Sequence, residues 1–352
     1  MARIAEQNQK IKEVLPTVKT EAEQIDQIAK IRGWFRPKED SAYYPLIQEF
    51  LNEQIDAKEA TSRILGPIDE KIKDAKLDDV DFMDLWKSII HSAKRLTFRN
   101  GAQVNHNMLV DLVSAFKEHS IPGNEQYNYL YQEMTDFGMA CREALNDSPI
   151  AHDGYIDREI EAWANMNFFF ALVAGKHIHD LSMYALFALR EALETPAIDD
   201  PMSTANQKYD ANVPAAAAWI LGYGHDLFRM EKDLTPSDRK QGNPGRAGEL
   251  WKGKAEFSKE RWAFWKERFA AISDMEGVSE QTKIDARDAI EDMERSQTYE
   301  HMRFMFAEEV RKEGDIERLG GGFLPLGRGA KRQKGERIVD LKAKHGEIVV
   351  TS

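Results

Sequence analysis

The stretch 159-EIEAWANMNFFFALVAG-175 decides the fold class of this chain. Its apolar residues recur at spacings of three and four, the period of an α-helix, and Gly175 stands where a helix end commonly falls. A second strongly apolar stretch, 213-VPAAAAWILGYG-224, follows later in the chain. Both are well short of the roughly 20 apolar residues that a membrane-spanning helix needs. The two stretches therefore predict helices of a globular protein.

The same helical period extends over most of the chain. Apolar stripes with spacings of three and four run from Phe82 to Ala93, Met108 to Phe116, Tyr127 to Leu145, Trp251 to Ile272 and Ala286 to Met293. Convincing alternating stretches bounded by turns, the mark of strands, are missing. We therefore predict an all-α protein, a single domain of about ten helices. Pro214 is predicted to open a helix, because proline is tolerated in a first turn.

The two ends of the chain differ from its middle, which predicts three segments. Residues 1–38 form a helical N-terminal arm that Pro16 interrupts, either a coiled-coil-like arm or an amphipathic helix folded back on the body. Residues 39–313 form the all-helical domain. Residues 314–352, with eight Lys or Arg against five Asp or Glu, form a flexible, mildly basic tail. The segment "RGAKRQK" within this tail fits a nuclear-import or anionic-surface patch, or an ordinary solvated tail.

Composition limits the possible partners and the compartment. Hydrophobic residues make up 42% and charged residues 31%, as in ordinary globular proteins, and the formal net charge is −12. An acidic chain is a poor match for a phosphate backbone, so nucleic acid is not expected as the main partner, and neither is a membrane. Cys141 is the single cysteine and excludes an intrachain disulfide. We expect a cytoplasmic protein, with the nucleus as a second compartment.

The stretch 174-AGKHIHDLSMYALF-187 offers candidate metal ligands, because it sets His177, His179 and Asp180 close together. The chain has two further His-Asp pairs, His152-Asp153 and His225-Asp226, and imidazole and carboxylate groups hold divalent ions in metal-dependent hydrolases. On a helix, however, His177 and His179 point about 200° apart. The favoured interpretation is a joint between two helices, with His177 near the end of the first and Asp180 capping the second. His179 has no role in that joint.

Trp163, Asn167, His225 and Asp226 are further candidate binding residues. A buried Asn must be hydrogen-bonded, so Asn167 either lines a pocket together with Trp163 or clamps a neighbouring helix or loop, and the clamp is favoured. His225 follows Gly222 and Gly224, which allow close helix packing, and this favours a satisfied core histidine.

Three segments carry a family resemblance. They are "EIEAWANMNFFFALVAG", "LSMYALFALREALE" and "VPAAAAWILGYGHDLF". They resemble a largely fungal family of uncharacterised helical proteins, known only as a domain of unknown function, over roughly Tyr43 to Phe269. The resemblance implies an intracellular helical domain and carries no established catalytic residues.

These observations favour binding over catalysis. Nucleotide-binding loops, nucleophile elbows and zinc-finger spacings are missing, so we predict no cofactor, no metal and no catalytic residue. The predicted function is a protein-interaction or scaffold module, with protein as the expected partner. The alternative is an enzyme with a polar pocket near Asn167, His179 and His225, including a metal-dependent hydrolase.

Overall fold

The computed structural model of the protein describes residues 2–36, 41–238, 240 and 242–319, with side chains through Met305. The chain forms two compact units, Met1–Tyr299 and Glu300–Ser352. The helices of the described residues are α1 (Ala2–Val14), α2 (Glu21–Arg32), α3 (Tyr44–Leu51), α4 (Ala57–Lys73), α5 (Phe82–Lys94), α6 (Gln103–Lys117), α7 (Tyr129–Gln132), α8 (Phe137–Ala144), α9 (Asp157–Gly175), α10 (Ser182–Leu189), α11 (Ala205–Arg229), α12 (Lys259–Ser273) and α13 (Glu280–Leu319). The all-α prediction is confirmed.

The described residues also contain short elements, among them a π-helical turn and two strands. A π-helical turn, Arg190–Glu194, continues α10, and strand β1 (Lys232–Asp233) pairs antiparallel with β2 (Glu256–Phe257). No helix among the described residues is long and apolar enough to cross a membrane. The backbone of α13 runs to Leu319, and the rest of the tail predicted from Gly314 lies outside the described residues.

Helices α9 and α11 form the centre of the first unit, and their backbones touch where small residues meet. A Cβ atom added at Gly222 would lie 2.7 Å from the Cβ of Ala171, and one added at Gly175 would lie 2.7 Å from the carbonyl oxygen of Gly222. Contacts closer than 3.0 Å are essentially never seen for real Cβ atoms. Only glycine therefore fits at positions 175 and 222 of this crossing.

The remaining helices of the first unit are arranged around this pair. Helices α2, α5 and α6 pack against α9, while α10 and α12 pack against α11. One continuous core contains large side chains from α5, α6, α8, α9, α11 and α12, among them Trp86, Phe116, Phe137, Phe169, Trp219, Trp262 and Trp265. Cys141 is buried in the same core, which raises the pKa of its thiol well above the ordinary value. This thiol is therefore a packing group rather than a nucleophile.

The N-terminal helices pack on the body. As predicted, Pro16 interrupts the arm, because α1 ends at Val14 and a 3-10 turn (Leu15–Thr17) follows. Ile11 of α1 and Ile28 of α2 then form a small buried cluster with Ile156. The boundary predicted at residue 38 lies outside the described residues.

Three local predictions are wrong. The stripe predicted from Trp251 becomes helical only at Lys259, because Glu256–Phe257 form β2 and Ser258 caps α12. Pro214 lies inside α11, which begins nine residues earlier because Thr204 and Gln207 form a reciprocal capping box around its first turn. The apolar stripe from Tyr127 to Leu145 is not one helix, since Met134 and Asp136 adopt left-handed backbone angles (φ 53° and 63°) between α7 and α8. In each of these places a local signal for the start or the end of a helix fixes the helix boundary, and it overrides the apolar period.

We expect Gly222→Ala to destabilise the protein by about 2 kcal/mol, because the added methyl group overpacks the crossing with Ala171. The double variant Ala171→Gly/Gly222→Ala removes the opposing methyl group. It should be more stable than the sum of the two single changes predicts, by about 1 kcal/mol, in urea unfolding of all four proteins. Strict additivity would show that the two positions are not in contact.

His106 makes the stability of the folded protein depend on pH, and the direction of this dependence follows from the pKa of its ring. Its Nε2 lies 3.1 Å from the carbonyl oxygen of Asn165 and donates to it, and burial of the ring lowers its pKa to about 4. The folded protein therefore keeps this ring neutral where the unfolded chain already binds a proton, below pH 6.5. The stability linked to His106 is complete above about pH 6.5 and is lost as the pH falls towards 4.

We expect the wild type to lose about 2 kcal/mol more stability than His106→Gln between pH 7 and pH 4.5, since each unit of pKa shift corresponds to about 1.4 kcal/mol. Glutamine keeps an N–H donor for Asn165 but does not titrate. The measurement is urea unfolding of both proteins at the two pH values. Equal losses in the two proteins would contradict the assignment to His106.

Candidate functional site

The predicted joint between two helices is present at the end of α9. His177 has a left-handed backbone (φ 55°), its N–H donates to the carbonyl of Ala174, and the N–H of Ile178 donates to that of Val173. This is the Schellman arrangement, which satisfies the last carbonyl groups of a helix. Asp180 accepts a hydrogen bond at 2.9 Å from the backbone N–H of Ser182, the first residue of α10. The N-cap position itself is occupied by Leu181, one residue after the predicted Asp180, and Leu181 makes no side-chain cap bond. Burial raises the pKa of Asp180, but the hydrogen bonds from Ser182 outweigh it and hold this pKa below its ordinary value.

His179 lies apart from the backbone bonds of this joint. Its ring stands edge-on to Phe137 of α8 at 5.3 Å between centroids, and its Nε2 is 3.3 Å from where Gly138 would carry a Cβ. Burial and the nearby Lys117 lower the pKa of His179. The ring therefore packs as a neutral aromatic group between helices.

Asn167 connects the two central helices. Its Oδ1 accepts a hydrogen bond at 2.7 Å from Nε1 of Trp219 on α11, and its Nδ2 donates to the carbonyl of Trp163. Asn167 and Trp219 are both buried, and Trp163 is half-buried at the edge of the core. This amide thus makes the contact of a clamp between helices.

His225 and Asp226 line a cavity of about 450 Å³, which we call the α11 cavity. Its wall comes from the end of α9, from α11 and from α13, and consists of Leu172, Gly175, Lys176, Leu221, Gly222, Tyr223, Gly224, His225, Asp226, Asp292, Arg295, Ser296 and Tyr299. The rings of His225 and Tyr299 meet edge-on at 5.0 Å. Sequence reasoning missed Asp292 and Tyr299, because α13 reaches this place only through tertiary packing.

Burial shapes the ionisation of two groups in the α11 cavity. Burial raises the pKa of Asp292, against the opposing effects of Arg295 and His225. Burial, with the carboxylates of Asp226 and Asp180, raises the pKa of Tyr223 to about 12. Burial is the largest of these causes, so the hydroxyl of Tyr223 stays protonated mainly because its surroundings are desolvated.

The candidate residues are thus distributed over three places. Asn167 lies at the α9–α11 contact, His179 packs on α8, and His225 with Asp226 lines the α11 cavity. Among the described residues, no group of three or more His, Cys, Asp or Glu side chains has an arrangement that would hold a metal ion.

A buried ion pair that the sequence analysis missed lies elsewhere in the first unit. Glu194, at the end of the π-helical turn, accepts from Nε and Nη2 of Arg261 at 2.7 and 2.9 Å and from Nε1 of Trp265 at 2.7 Å. Both charged side chains are fully buried. Their signal in the sequence is the charge of Arg261, which directly precedes Trp262 and lies four residues before Trp265 on α12. The pair attaches α12 to α10.

The geometry defines an all-α protein with a cavity lined by α9, α11 and α13. The chain belongs to the family described as "Protein of unknown function (DUF3632)", whose model matches residues 86–269. This confirms the resemblance to an uncharacterised helical family, although the match begins at Trp86 and the fungal origin stays a prediction. No curated protein and no solved structure matches the chain significantly.

We expect His177→Gly to stabilise the protein by about 0.5–1 kcal/mol, because glycine adopts the left-handed conformation of the joint without steric cost. The matched control is the neighbouring Lys176→Gly. Lys176 has an ordinary φ of −84°, so glycine there should lower stability. Thermal unfolding of the three proteins provides the measurement, and a loss of stability in His177→Gly would contradict the assigned backbone conformation.

Proposed function

We propose that the protein is a protein-interaction module, and that helix α13 pairs with the same helix of a second copy. The observation that carries this proposal is a group of large apolar residues in one stretch of α13. Met302, Phe304 and Met305 are 47%, 62% and 57% exposed. Exposed apolar residues grouped in this way are typical of a binding surface.

The positions on the helix support pairing with another helix. Met302 and Met305 are three residues apart and therefore share one face of α13, while Phe304 lies beside it. Methionine is flexible and polarizable, which suits a surface that packs against another helix. A partner helix would remove these side chains from water without any change in α13 itself.

Charge permits a second copy as the partner. The chain carries a net charge of −12, and residues 300–319, with six acidic and four basic residues, share this acidic excess. Pairing of two copies therefore depends on the basic residues of this segment meeting acidic residues of the second copy.

The second candidate is an enzyme, and one observation favours it. The α11 cavity holds His225 with Asp226 and Asp292, and imidazole and carboxylate groups are the usual general acids and bases. Asn167 and His179, which the enzyme hypothesis first included, do not line this cavity. We therefore rank the interaction module first.

A cytoplasmic location, with the nucleus as a second compartment, is part of the same proposal and is supported by the single buried cysteine.

We expect the double variant Met302→Glu/Met305→Glu to shift the protein from dimer to monomer in sedimentation-velocity experiments, because four like charges would face each other in the pair. The matched control is Met139→Glu, a change at a methionine of α8 that is 58% exposed. The control should sediment as the wild type does. A wild type that remains monomeric at all concentrations tested would contradict the proposal.

A further inference from the structure

The α11 cavity has the composition of a ligand site, and its role is independent of the pairing proposed for α13. Its volume of about 450 Å³ lies within the range of small-molecule pockets, and its floor is backbone at Gly175, Gly222 and Gly224. A Cβ at Gly224 would lie 3.2 Å from Oδ2 of Asp292. This carboxylate oxygen therefore stands directly over the bare backbone of α11.

The charges around the α11 cavity favour a cation. Its two cationic side chains are already engaged by carboxylates, since Lys176 bonds to Asp111 at 2.6 Å and Arg295 bonds to Oδ1 of Asp292 at 2.7 Å. Asp226 adds a further carboxylate. The wall itself thus carries two carboxylates and two cations, and Asp226 is the carboxylate that neither of these two pairs engages.

The uncharged walls determine which kind of cation fits. Tyr223, His225 and Tyr299 present rings, and Leu172 and Leu221 present aliphatic surface. Aromatic faces attract organic cations, and the aliphatic groups favour a hydrocarbon body over a strongly hydrated metal ion. An ammonium group attached to a hydrocarbon body satisfies both kinds of wall.

We propose that the α11 cavity binds a small organic amine in its protonated form. Its ammonium group donates to Asp226 and to the free oxygen of Asp292, while its hydrocarbon part lies among Tyr223, His225 and Tyr299. No bond forms or breaks in this binding step.

The test uses three probes with the same hydrocarbon body and different charge, namely 2-phenylethylamine, 2-phenylethanol and 3-phenylpropionate. Isothermal titration calorimetry at pH 7 with the full-length wild type should show binding of the amine only. Asp226→Asn should weaken amine binding at least tenfold. The control Asp274→Asn, at an exposed position after α12, should bind as the wild type does.

Leu221→Trp provides a second variant, because the larger side chain occupies the α11 cavity while all of its charges remain. It should abolish amine binding, and thermal unfolding of each variant verifies that it is folded. Absence of amine binding by the wild type would overturn the proposal. Binding of the alcohol or the acid as tightly as the amine, or undiminished binding by Asp226→Asn and Leu221→Trp, would also overturn it.

Discussion

The contact between α9 and α11 at Gly222 is the constraint on which the rest of the structure depends. The backbones approach so closely there that a methyl group on Gly222 would overlap Ala171. The hydrogen bond between Trp219 and Asn167 then selects one register for the two helices, since a shifted register would leave a buried amide and a buried indole unpaired. Shape brings the helices together, and the polar pair fixes where they meet.

Buried or partly buried ion pairs attach α2, α12 and α13 to neighbouring elements of the first unit. Arg32 of α2 donates to Glu159 of α9 at 2.6 Å, Arg261 of α12 pairs with Glu194, and Arg99 forms two bonds to Asp285 of α13. Removing charges from water costs free energy, so such pairs are weak evidence for stability. Their geometry is demanding, however, and each joins residues that are far apart in the chain. We infer that they specify where α2 docks on α9, where α12 docks on the π-helical turn after α10, and where α13 docks on the connection between α5 and α6.

Local signals in the sequence explain how much of the fold and of the candidate site was predictable. The apolar period predicts helices correctly because burial of one face dominates their stability, and the joint after α9 follows from Gly175 and Asp180. The period fails where a cap competes with it, as at Thr204, and where left-handed residues interrupt a stripe, as at Met134. The favoured clamp role of Asn167 was predictable because a buried amide must have a partner, but its partner Trp219 was not. Likewise, Asp292 and Tyr299 join His225 only through the docking of α13, and no spacing in the sequence encodes that.

The same glycines connect the fold to the α11 cavity. Gly175 and Gly222 allow the central helices to touch and also line the cavity, while Asp292 lies against the third glycine, Gly224. A side chain at Gly175 or Gly222 would therefore disturb the helix contact first. Asp226 is different, since it lines the cavity but is not among the residues of the α9–α11 crossing. The side chain at position 226 can therefore change without changing the contact that holds the two helices together. A fold that separates its scaffold from its site in this way can carry different ligands.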